Sequence, residues 1–326
     1  RIWRTVRDSY STRTLGMTGS EVVALSHFFQ PARWDELRDI PLTLEARLGV
    51  LSSAGLRLRQ LGRLHDARAT CGAVFAAVDK AIDSGTPLNN SHLRDAAYAG
   101  SLHCELLVIA GALGEPLAGE TAAAEAVARR AIAFGDRCGD AYFRMYPKTC
   151  LAEVEFMRGN LDRAGTWFAE AHTVEGSDTP FLYSQNLFRY GYYLIETGRA
   201  RQVLDAARNE DWGLNGKKSS QLSYAIRHLV IGAAKRSLLE IDGVDADLLA
   251  EAKSVMDQAI VGLRSVGYID YVVRGLLERA YLLRVGRRTE DYAKALDDLS
   301  RCAVECERSD MRMLAADVEL QRAALF

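Results

Sequence analysis

The residues of this chain best suited to directed contact gather in its middle and later parts. Tyr142, Phe143, Arg144, Tyr146 and Lys148 are followed by Tyr183, Gln185, Arg189, Tyr190, Tyr192 and Tyr193. Tyr224, Arg227 and His228 come next, then Tyr268, Asp270, Tyr271 and Arg274. Tyrosine and arginine combine large contact area with directed hydrogen bonds, the chemistry of recognition hot spots. Aromatic residues at helical spacing also build inter-helix core, and an arginine beside them is often a stacked structural residue, so both roles stay open here.

Catalytic and metal-binding patterns are missing. Gly216-Lys217-Lys218-Ser219 has the look of a phosphate loop, but Asp211 stands where the first glycine belongs and Lys218 takes the hydroxyl position. No HExxH, GxSxG or dinucleotide fingerprint is present, and the six histidines have no metal-ligand spacing. His103, Cys104 and Glu105 are adjacent, and adjacent helical residues point about 100° apart. Cys302 and Cys306 are one turn apart without further ligands to complete a tetrad. The reading is therefore no enzyme, no cofactor and no metal, with the cysteines packed as small hydrophobes in a reducing compartment.

Charge excludes further classes. In 326 residues, 41 Lys and Arg stand against 43 Asp and Glu, a net charge of -2 that gives no electrostatic drive toward nucleic acid or an anionic membrane. An apolar share of 48% argues against disorder. The longest apolar stretch, 106–113, is far short of a span of about 20 residues. The expected location is cytoplasmic. The start at Arg1, without Met or a secretory core, leads us to expect a segment of a longer polypeptide.

The elements that position these residues read as helices throughout. Leu222, Ala225, Ile226, Leu229, Val230 and Ala233 form one apolar stripe, and Val273, Leu276, Leu277, Ala280 and Leu283 another. The pattern predicts helices at 20–30, 42–60, 64–83, 91–112, 120–137, 140–158, 161–174, 180–197, 200–209, 218–240, 246–266, 269–285, 289–307 and 310–325. Gly85, Gly114, Gly176, Gly198 and Gly286 are expected as left-handed caps, and Thr179-Pro180 as a helix start. Pro147 either kinks its helix or marks the true beginning. A protruding loop is expected at 211–220. Helix pairs around short glycine turns suggest repeats: Leu51, Gly55, Leu58, Gly62, Leu64, Ala67, Cys71 and Val74 in one unit, with matching offsets around Gly159 and Gly198. The turn glycines 62, 114, 159, 198, 243 and 286 lie 52, 45, 39, 45 and 43 residues apart, longer than a standard repeat of about 34.

The offsets within each unit, as from Leu51 to Val74, are those of a tetratricopeptide repeat. Several segments, among them Leu58-Arg59-Gln60-Leu61-Gly62-Arg63-Leu64, Gly139-Asp140-Ala141-Tyr142-Phe143-Arg144-Met145 and Phe188-Arg189-Tyr190, resemble the C-terminal tetratricopeptide regions of bacterial multidomain signalling proteins, especially STAND-class NTPases. The resemblance implies an all-α, right-handed superhelical solenoid of antiparallel helix pairs with elongated, degenerate repeats. A helical cap or connector would occupy 1–41, and about six pairs plus a terminal helix 42–326. It implies a noncatalytic sensor or scaffold arm that binds a protein or peptide in a concave groove and is joined to upstream effector and NTPase domains. Tyr146, Thr149, Glu153, Gln185, Arg189, Tyr192, Arg227, His228 and Arg274 are the expected contact residues. A small-molecule-sensing arm and a self-associating, homo-oligomeric scaffold are the alternatives.

Overall fold

A computed structural model describes residues 18–115, 117, 123–174, 182–214, 219–286 and 289–325. Among them are fourteen helices and one two-stranded antiparallel hairpin, so the chain is all-α in class. It divides into two compact units, residues 1–178 and 179–326.

The first unit opens with α1 (Thr18–Ser26) and the hairpin β1 (Phe29–Gln30) and β2 (Arg33–Leu37). Then follow α2 (Leu44–Gln60), α3 (Leu64–Asp83), α4 (Asn90–Ala110), α5 (Ala124–Cys138), α6 (Ala141–Met157) and α7 (Leu161–His172). The second unit holds α8 (Gln185–Glu196), α9 (Ala200–Ala206), α10 (Gln221–Asp242), α11 (Ala246–Val266), α12 (Ile269–Val285), α13 (Thr289–Ser309) and α14 (Arg312–Ala323).

Within each unit a helix packs against its sequence neighbour, and alternate helices also pack against one another. In the first unit α2, α4 and α6 touch in succession; in the second α8, α10, α12 and α14 do. This is a repeat-like array in which each pair covers the apolar stripe of the next. The stripes supply the buried residues, for example Leu229, Val230 and Ala233 on α10 and Val273, Leu276 and Ala280 on α12.

The hairpin replaces the last residues of the expected helix 20–30. Ala32 sits at φ 60° between its strands, and the Phe29 and Trp34 rings pack at a tilt of 46° with centroids 4.9 Å apart, with the Arg63 guanidinium 5.2 Å from the Trp34 ring. An aromatic clasp therefore ends the helix where periodicity alone extends it. Two glycine assignments also change. Gly111, at φ 89°, caps α4 in place of Gly114, and Gly286 keeps right-handed helical geometry at φ -63°. Gly85 and Gly198 do take left-handed values, while Gly176 and Thr179-Pro180 lie outside the described residues. The expected helix 200–209 stops at Ala206 because the following segment turns toward Arg227.

Pro147 lies inside α6, which begins six residues earlier behind the Asp140 cap, whose carboxylate accepts from the Tyr142 amide at 3.0 Å. A proline has no N–H, so the Phe143 carbonyl loses its usual partner one turn on. The backbone of Gly135 on α5 sits against that carbonyl: a Cβ there would lie 2.1 Å from the Phe143 oxygen. The glycine is thus required by close approach of two backbones. Gly135→Ala is expected to lower stability by about 2–3 kcal/mol, whereas Gly49→Ala, in open space on α2, should raise it by roughly 0.5–1 kcal/mol. Urea denaturation of both variants checks this, and equal effects at the two sites would contradict the close approach.

Candidate functional site

The expected contact residues separate into three environments. In the first unit Tyr146 and Thr149 are buried at 3% and 0% exposure. The Tyr146 hydroxyl donates to Glu105 Oε1 at 2.7 Å, and the other Glu105 oxygen accepts from Arg59 Nη1. Thr149 donates to the Tyr146 carbonyl at 2.8 Å, and Glu153 is buried one turn on. Tyr146 also stacks on Tyr142 with centroids 5.6 Å apart. Arg59, Glu105 and Tyr146 come from α2, α4 and α6, so one polar chain crosses three successive first helices of the pairs. This places Tyr146 and Thr149 inside the packing of the unit.

Arg227 and His228 serve α10 and the segment before it. Arg227 donates to the carbonyls of Ala207 at 3.0 Å and Trp212 at 3.1 Å, which pins the turn after α9, and His228 Nδ1 lies 2.8 Å from the Tyr224 carbonyl. That fastening covers part of the loop expected at 211–220; residues 215–218 lie outside the described set.

The third environment is a mixed polar cluster on α8, α10 and α12, with α14 beside it. Arg236 is its centre, with a side chain only 4% exposed. Its Nε donates to Glu278 at 3.0 Å and its Nη1 to Glu240 at 3.2 Å, while Nη2 is 3.6 Å from Glu196. The guanidinium stacks 4.1 Å from the Tyr281 ring centroid, and the Tyr281 hydroxyl donates back to Glu240 at 2.8 Å. Arg274 lies over Phe188 at 4.8 Å, and Phe188 packs on Tyr192 at 4.4 Å and Tyr271 at 5.1 Å. Burial, then the nearby Glu278 charge, pushes the Tyr192 phenol well above its ordinary range, which keeps it neutral. Arg189 is buried and donates to Asn186 at 3.2 Å within α8; Gln185 is half-buried at the start of that helix.

Of the nine expected residues, Tyr192 and Arg274 thus belong to the cluster. Its centre, Arg236, and the carboxylates Glu196, Glu240 and Glu278 escape a search for aromatic and cationic bands. A spacing signal does exist. Arg59–Glu105, Glu105–Tyr146 and Arg236–Glu278 are 46, 41 and 42 residues apart, within the range of the turn-glycine spacing.

Among the described residues no group of three or more His, Cys, Asp or Glu is placed to hold a metal, and the six cysteines are buried free thiols. Burial pushes Cys71 and Cys306 up to about 12, so neither is a nucleophile near neutral pH. No helix among the described residues is long and apolar enough to cross a membrane. Comparison with models of known protein families finds no match for this chain, and no curated protein matches it.

Arg59→Met should destabilise the chain by about 3–5 kcal/mol, because it leaves the Glu105 carboxylate buried without its cation. Adding Glu105→Gln should recover part of that loss, a non-additivity measurable by urea denaturation. A pH effect follows from the carboxyls. Burial holds Glu196 and Asp317 above the ordinary range, and burial with the neighbouring Glu45 charge raises Asp95 on α4 to about 6. The folded chain keeps these protons to higher pH than the unfolded chain does. For Asp95 the stabilising contribution is complete below about pH 4 and is lost as pH rises through about 6, and Glu196 and Asp317 act in the same direction. Thermal melts from pH 4 to 6 should show this decline, and Asp95→Asn should flatten it.

Proposed function

We propose that this chain is a noncatalytic module that recognises a protein or peptide through the α8–α10–α12 face, as the sensor or scaffold arm of a larger bacterial signalling or defence protein. The observation that supports this most directly is the cluster around Arg236. Glu196 and Glu240 have side chains 51% and 44% exposed; Arg236 and Tyr281 fix Glu240, and Glu196 stands 3.6 Å from the same arginine. Carboxylates fixed in this way lose little side-chain entropy when a cationic or hydrogen-bonding group of a partner docks. Aromatic rings at Phe188, Tyr192 and Tyr271 lie beneath the same face and give it a rigid floor.

The noncatalytic reading rests on how these groups are used. Glu240 and Glu278 are bonded to Arg236, and Glu240 also accepts from Tyr281, so the acids serve to hold one another in place. The tetratricopeptide-like superhelix and the STAND-type context belong to the same proposal. They are supported by the helix-pair array and by the repeated separation of paired residues.

The test is affinity capture from a bacterial lysate with the wild-type chain and with Glu196→Gln/Glu240→Gln, read by mass spectrometry. We expect a saturable partner that the variant retains at least about fivefold less well, a loss matched to one or two surface charge contacts, with melting temperature unchanged within about 3 °C. Equal capture by both proteins would remove the proposed face. Recovery of the chain alone would turn the reading toward self-association.

A further inference from the structure

We draw no further inference here: the strongest candidate, the side-chain cluster of Glu45, Asp95 and Tyr98 where α2 meets α4, holds two carboxylates balanced in charge by Arg47 and Arg94, and nothing else among the described residues there points to a ligand.

Discussion

The arrangement of the helices depends on charges that are buried and must find partners across helix pairs. Arg59 and Glu105 are exposed by only 1% and 3%. Two charges in that position are costly unless their geometry is good and their remaining hydrogen-bonding capacity is used. Glu105 meets this by binding Arg59 from α2 with one oxygen and Tyr146 from α6 with the other. A slide of one helix past the next by a turn, about 5.4 Å, would break both contacts and leave each charge uncompensated. The apolar stripes alone would tolerate such a slide far better, because leucine and alanine contacts are largely interchangeable.

Close packing works alongside this. Where helices must nearly touch, the sequence supplies a glycine and the facing residue fills the space. A Cβ on Gly100 would lie 2.7 Å from the Phe75 ring, and one on Gly191 would lie 2.5 Å from Val230. At Gly135 the facing group is a backbone carbonyl already deprived of its donor by Pro147. The two departures from ideal helix chemistry at that contact are therefore one feature, in which the proline removes a carbonyl's usual helical donor and the glycine brings a helix against it.

Helix positions were legible in the sequence because long amphipathic segments impose a 3.6-residue period that tertiary contacts reinforce. The hairpin at Phe29–Leu37 was not, since an aromatic clasp between Phe29 and Trp34 is a local pairing that periodicity does not register. At the candidate site, Tyr192 and Arg274 were found as members of an aromatic and cationic band. Arg236 was missed because its only local mark is the ordinary i,i+4 pair with Glu240, while Glu196 and Glu278 are brought to it from helices 40 and 42 residues away in the chain. Tyr146 illustrates the converse. It has the residue type of a contact position, yet an acid from another helix turns it inward.

The two units use the same device to different effect. In the first, Arg59, Glu105 and Tyr146 are all almost fully covered, so the polar chain lies within the packing and fixes register. In the second, Arg236 and Glu278 are covered while Glu196 and Glu240 remain half exposed, so the chain ends in carboxylates at the surface. Arg236 meets three glutamates, Glu196, Glu240 and Glu278, and burial of that much acid is costly, so two of the three face solvent. Glu240, bonded both to the buried Arg236 and to Tyr281, is the carboxylate held most firmly at that surface.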